Sequence, residues 1–260
     1  MKLGFVGTGS MTSAMVTGLR SSALESPSIF LSPRNSIVAA ELAGRFPHVS
    51  ITASNQDVLD QCETVVLAVR PQVARNVLSE LRFRPDHHVI SIVAAFSLRE
   101  LSELVAPARK VTRAVPLPSA AKKRSPTAIC PRDSVAVRLF RVLGTAFEVD
   151  SEDEFNALCA ATATIASYFA FTHSIATWLE RHGIPQTQAR DYIARIFSGL
   201  ADAALEAPGS SFQSLAADYA TPGGINEQLL AHLVECGVLE TVGQGLDAVM
   251  RRVAGASRQA

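Results

Sequence analysis

The chain has 260 residues, 48% of them apolar and only 6% aromatic, and its 24 basic side chains balance 24 acidic ones. That length holds one large domain or two ordinary ones, and a neutral chain carries no global field to recruit nucleic acid or an anionic membrane. Four scattered cysteines, Cys62, Cys130, Cys159 and Cys236, form no Cys-x-x-Cys pair, so reduced thiols in a cytoplasmic protein are expected, without a zinc or redox site.

The first half alternates short apolar runs with helical patterns. Strands are expected at 2–7, 28–32, 63–69 and 88–96, and the last two are apolar almost throughout, as strands covered on both faces are. Helices are expected near 10–21, 36–45, 54–60 and 72–81, then strands at 110–115, 126–130 and 146–149 with a helix near 134–143. This alternation predicts an α/β domain around a parallel sheet. His87-His88 begins a strand with no third ligand in reach by sequence, so no metal site is expected. The Lys122-Lys123-Arg124 run reads as a solvated loop.

Near residue 152 the pattern changes to helices alone. Leu158, Thr162, Ile165, Phe169, Thr172, Ile175 and Leu179 recur at three- and four-residue steps, which predicts one long helix ended by Gly183 and Pro185. Residues 155–179 lack Asp, Glu, Lys and Arg and are long enough to cross a bilayer, but they carry eight polar side chains. A helix buried between protein surfaces is the expectation, not a membrane span. Further helices are expected at 186–206, 211–218, 225–236 and 240–253. The division predicted is 1–151 as a nucleotide-binding domain and 152–260 as a helical one.

Gly7-Thr8-Gly9 directly follows the first strand and precedes a helix. The first glycine permits a tight turn, the second lets a pyrophosphate approach the backbone, and the helix start at Ser10 and Met11 supplies free N–H groups. The third glycine of this dinucleotide-binding fingerprint is Thr12 here. At the end of the second strand, where NAD sites carry an acid, stand Ser32, Pro33, Arg34 and Asn35. A guanidinium with hydroxyl and amide donors suits a 2′-phosphate, so NADP(H) is the expected cofactor, held in part by Ser32, Arg34 and Asn35.

These residues resemble the pyrroline-5-carboxylate reductase family, along nearly the whole chain. The glycine turn in GFVGTGSMTSAM, the segment LAVRPQ (67–72), Asn55 at a helix start, SIVAAFS (91–97) and TPGG (221–224) are each similar to a family motif. Arg70 stands for the family's lysine and Ala95 for a glycine. The resemblance implies a Rossmann domain followed by a helical dimerisation and substrate domain, and reduction of a cyclic imine to proline with NADPH. It adds Asn55, Ala68, Val69, Arg70, Pro71 and Ala94 to the cofactor site. It also implies a homodimer through the C-terminal helices, assembled into larger rings in many members.

With the resemblance, the turn at Thr221, Gly223, Gly224, Ile225 and Asn226 is expected to hold the carboxylate of a small acidic imine on helix-start N–H groups. Several family residues differ. The serine- and glycine-rich segment at the start of the long helix is Thr162–Ser167 here, a methionine-proline-asparagine-threonine-proline stretch becomes Val115-Pro116-Leu117-Pro118-Ser119, and Ile225-Asn226 replace two threonines. A paralogue acting on another imine or a small carbonyl, or a non-catalytic NADPH-binding protein, are therefore the alternatives. A related dehydrogenase family uses a lysine of its helical domain, and this chain has none after Lys123. No proton donor is assigned; His173, Tyr168 and Tyr219 are donors by type, but structural roles are expected for them.

Overall fold

The structure, a computed structural model, describes residues 2–21, 27–94 and 96–259. Ala95 lies outside the described residues. The N-terminal elements run β1 (Lys2–Val6), α1 (Ser10–Arg20), β2 (Ser28–Leu31), α2 (Ser36–Arg45), β3 (Val49–Ile51), α3 (Asn55–Gln61), β4 (Thr64–Leu67), α4 (Pro71–Ser79), β5 (His88–Ser91), α5 (Leu98–Leu104) and β6 (Lys110–Val115). A 3-10 segment (Pro118–Lys122), β7 (Ser125–Cys130), α6 (Ser134–Val142), β8 (Gly144–Glu148) and α7 (Glu152–Ala161) follow. The helical part comprises α8 (Thr164–Arg181), α9 (Gln186–Glu206), α10 (Phe212–Tyr219), α11 (Ile225–Glu235) and α12 (Val238–Gln259).

Among the described residues the strands form one sheet in the order β3-β2-β1-β4-β5-β6-β7-β8, parallel except for the antiparallel β6–β7 pair. This is a Rossmann-like doubly wound sheet. Its strand order reverses between β1 and β4, and there the strand ends open the crevice in which such folds bind ligands. β4 and β5 are buried at every position, as their continuous apolar runs predict. One core packs Leu3, Phe5, Met15, Val16 and Phe140 on one side, and another packs Val58, Leu67, Val77, Val89 and Leu101. Each fully buried aliphatic or aromatic side chain contributes about 1.5–3 kcal/mol before entropy is charged against it.

Three elements go beyond the sequence expectations. β3 and α5 are present where none was predicted, and the loop before β7 contains the 3-10 segment. Lys123 is not simply solvated: it adopts φ 57° and its Nζ donates to Ser21 O at 2.7 Å, closing the end of α1. The predicted single helix over 155–179 is two helices. At Thr162–Ala163 the bonds tighten to Ala163 N to Ala160 O (3.0 Å) and Ile165 N to Thr162 O (3.1 Å), while the Thr164 hydroxyl donates to Ala161 O at 2.7 Å. Hydroxyl bonding to the backbone of this kind competes with the helix ladder.

The chain divides into two compact units, one running to Cys159 and resumed from Arg252, the other Ala160–Arg251. The change of composition falls at 152, but the change of packing falls later because α7 belongs to the first unit. Phe155 is buried against Ala128 and Cys130, and Glu152 pairs with the buried Arg113 and accepts from Leu98 N at 2.8 Å. Arg113 also lies 4.5 Å from the Phe155 ring centroid, so it holds α7 to the sheet. The second unit is built differently: α8, α10 and α11 have no buried residue, and α9 buries only Ala189 and Ile193. The stretch Glu152–Arg181 contains an 18-residue window, of mean hydropathy 1.2, that is apolar enough to cross a membrane by length and composition.

Candidate nucleotide and substrate sites

In the first unit the chain turns sharply where β1 ends. Gly7 has φ 103°, and a Cβ there would stand 2.6 Å from the backbone of Ala68 at the end of β4. No other residue fits that contact. The turn is then tied to β2: Gly7 N donates to Ser32 Oγ at 2.8 Å, and Thr8 Oγ1 donates to Ser32 O at 2.7 Å. Thr12, in the slot of the third fingerprint glycine, is fully buried and donates its hydroxyl to Gly7 O at 2.7 Å. The departure at Thr12 thus becomes a brace for the turn.

Gly9 is the opposite case. A Cβ at Gly9 would meet nothing within 4 Å, so the space beside it is open. Gly9 is also the N-cap of α1 and has no side chain to satisfy the helix start. The first α1 bond back to the turn is Ser13 N to Gly9 O at 3.0 Å, leaving the N–H groups of Ser10, Met11 and Thr12 without helical partners. An uncapped helix start beside open space, with no acidic residue in its first turn, fits the pyrophosphate of a dinucleotide.

Gly7, Thr8, Gly9, Arg34, Asn35, Ala68, Val69 and Arg70 line one cleft of ≈ 410 Å³, together with Val73. Val73 was not foreseen; an apolar residue in the first turn of a helix opened by Pro71 is the signal that could have found it. Arg34 and Arg70 are exposed and place two guanidinium groups on this cleft. Ser32 was expected to reach a 2′-phosphate, but it is fully buried and its hydroxyl is engaged by Gly7 and Thr8. Its place is behind the turn. Asn35 caps α2, accepting from Val38 N at 3.5 Å. Pro71 opens α4, Asn55 opens α3 behind the Ser54 cap, and exposed Ala94 follows β5; these three are not in the cleft lining.

The two histidines opening β5 sit at the other end of the sheet. His87 Nδ1 accepts from Arg84 N at 2.9 Å, so Nε2 carries the proton and lies 3.0 Å from Leu59 O. Burial holds the His87 pKa below its usual value, outweighing the Leu59 carbonyl. His88 lies 2.9 Å from Asp133, the N-cap of α6. Burial alone would raise the Asp133 pKa, but His88 and the N–H groups of Ala136 and Val135 outweigh it and hold it low. Among the described residues no three His, Cys, Asp or Glu groups come together as a metal site. Burial pushes the Cys62 and Cys159 thiols up to about 11, which makes them unreactive.

In the second unit the chain turns at Thr221–Gly224 into α11. Gly223 has φ 73°, and Gly224 leaves room for Thr221, whose Oγ1 would lie 2.6 Å from a Cβ at Gly224. Gly224 N donates to Thr221 O at 2.8 Å, Gly223 N donates to Glu227 Oε2 at 2.7 Å, and Asn226 Nδ2 donates to Tyr219 O at 3.1 Å. Sequence reasoning named the turn but missed Glu227, which reaches back four residues. Ile225 is 83% exposed. Tyr168 and exposed His173 line a separate groove of ≈ 350 Å³ between α8 and α9, with Glu180 and Arg190 on its rim.

Residues 2–95 match the family described as NADP oxidoreductase, coenzyme F420-dependent, and residues 152–255 match pyrroline-5-carboxylate reductase dimerisation. The chain is 27% identical to the pyrroline-5-carboxylate reductase of Escherichia coli over 96% of both chains. It is 24% identical to that of Pseudomonas aeruginosa, over 99% of this chain and 97% of the other. The Streptococcus pyogenes 1-pyrroline-5-carboxylate reductase structure matches with TM-score 0.84 and 25% identity, covering 97% of this chain and 98% of that one. A Plasmodium falciparum pyrroline carboxylate reductase solved with NADP bound shares the fold, with TM-score 0.80 and 20% identity over 99% of this chain and 98% of that one.

Proposed function

The chain belongs to the pyrroline-5-carboxylate reductase family, and from that premise we propose that it reduces the C=N bond of pyrroline-5-carboxylate to give proline. It is an oxidoreductase acting on a CH–NH group, with NADP(H) as its cofactor. NADPH, when bound, supplies the hydride. The N–H groups of Ser10 and Met11 and the open face of Gly9 are the fitting place for the pyrophosphate, and Arg34 and Asn35 for the 2′-phosphate. Arg70, Val69 and Val73 wall the same cleft. The observation that carries this reading is that cleft: an uncapped helix start, two guanidinium groups, and no acid at the end of β2.

A protonated imine is already electrophilic, so the protein's task is orientation and exclusion of competing reactions. In this reading the Thr221–Asn226 turn takes the substrate carboxylate through α11 N–H groups. A homodimer through the second unit belongs to the same proposal. It is supported by the exposed Phe169, Trp178, Tyr192, Leu229 and Val242, large apolar side chains that a second copy would cover. The dimerisation match argues against a bilayer around Glu152–Arg181. Assembly into a larger ring and a cytoplasmic location complete the proposal.

A second reading, a paralogue for another imine, draws on Leu117 and Ile225, apolar where the family carries polar residues. The test is spectrophotometric. Purified protein with NADPH and pyrroline-5-carboxylate should lose nicotinamide absorbance and form proline; turnover confined to imines lacking the carboxylate would favour the second reading.

A further inference from the structure

The turn proposed to take a carboxylate already holds one. Glu227 is the third residue of α11, and its Oε2 accepts from Gly223 N at 2.7 Å. That distance is typical of a bond in which the acceptor is charged. Gly224 N is engaged by Thr221 O and the Asn226 amide by Tyr219 O, while the first helical bond, Gln228 N to Gly224 O at 3.1 Å, leaves the N–H groups of Ile225, Asn226 and Glu227 without helical partners. Glu227 does not close a standard capping box, because in that arrangement the third residue bonds the N-cap residue itself. Here it passes the N-cap Gly224 and takes the N–H of Gly223, one residue further out, where φ is 73°. The positive end of the helix is met by the chain's own anion.

We propose that Glu227 is a specificity-determining residue whose carboxylate competes with that of the substrate for the start of α11, disfavouring acidic imines relative to uncharged ones. The inference rests on the reading that this turn receives the carboxylate. Its physical basis is twofold. A carboxylate taken by the N–H groups of Ile225 and Asn226 comes beside the Glu227 carboxylate on the Gly223 N–H, and must displace it or accept a poorer position. Two carboxylates at one helix start also repel, and like charges brought together at a binding surface work against the ligand that creates them. A ring with no carboxylate meets neither obstacle.

Glu227→Gln separates charge from structure, since the amide oxygen can still accept from Gly223 N while the negative charge is gone. Glu227→Ala removes both and serves as the second variant. NADPH oxidation is measured with pyrroline-5-carboxylate and with 1-pyrroline, the same ring without the carboxylate. Proline binding to the NADP+-loaded protein is followed by calorimetry. The expected result for Glu227→Gln is a ratio of KM values, pyrroline-5-carboxylate over 1-pyrroline, lower by about tenfold, and proline bound about tenfold tighter. Glu227→Ala should shift the acidic imine in the same direction. An unchanged KM for pyrroline-5-carboxylate, or equal shifts for both imines, overturns the inference while leaving the reaction in place. Absence of turnover of either imine by the unaltered protein removes the reaction itself, and the competition with it.

Discussion

The two units treat the same device, a glycine turn opening a helix, in opposite ways. At Gly7–Gly9 the turn is built into a core: a Cβ at Gly7 would strike Ala68, Ser32 holds the turn from behind, and Thr12 braces it from the helix. Its outward donors stay free. At Thr221–Gly224 the turn is exposed and satisfies itself, through Thr221, Tyr219 and Glu227. The contrast extends to the units around them. The first has a large apolar cluster on each face of its sheet and a smaller one around Phe155, whereas α8, α10 and α11 of the second bury nothing within the chain. A site set in a finished core is rigid before ligand arrives; one set on a unit lacking a core depends on what covers that unit.

The largest expected effect follows from that dependence. Phe169 is 64% exposed, and Phe169→Glu should turn the proposed dimer into a monomer in sedimentation at micromolar protein, since an aromatic anchor in an interface contributes about 2 kcal/mol or more. A variant that remains dimeric would place the interface elsewhere. Next is Gly7→Ala, which forces a Cβ into Ala68 at φ 103°. Strained backbone of that kind costs about 1–3 kcal/mol, so the thermal midpoint should fall and its rise on adding NADPH should be lost. Arg34→Ala should weaken NADPH binding by about ten- to hundredfold while leaving NADH little changed, the loss of a charge-assisted bond to the 2′-phosphate. Equal losses for both cofactors would take Arg34 off that phosphate.

The smallest effect is a pH dependence confined to the first unit. His87 is neutral in the fold because burial holds its pKa below 6.5, whereas in the unfolded chain it titrates near that value. Its contribution is therefore complete above about pH 6.5 and is lost as pH falls from there towards the folded-state pKa. Urea midpoints between pH 7.5 and 5.5 should fall less steeply for His87→Gln than for the unaltered chain. Parallel slopes would remove His87 from the account.

The cleft was readable because most of its residues lie in short contiguous runs, 7–9, 34–35 and 68–70, each at a strand end or helix start. The same local logic would have found α5, since Ser97 and Glu100 form a full capping box, but the helix is only seven residues and lacks a clear apolar stripe. β3 escaped because two of its three residues are exposed. Ser32 was placed on the wrong side of the turn, because sequence gives its position along β2 but not the direction of its hydroxyl. Glu227 was invisible for a related reason: an acid in the first turn of a helix is common, and only its reach to Gly223 sets it apart. The break at Thr162–Ala163 interrupts a periodicity that runs on unbroken in sequence.

The central claim is that the intact cleft of the first unit serves imine reduction, and product analysis tests it most directly. Purified protein, NADPH and pyrroline-5-carboxylate at neutral pH should yield proline in a one-to-one ratio with NADPH consumed. Tight NADPH binding with no proline formed, and no NADPH consumed with any five- or six-membered cyclic imine, would contradict it.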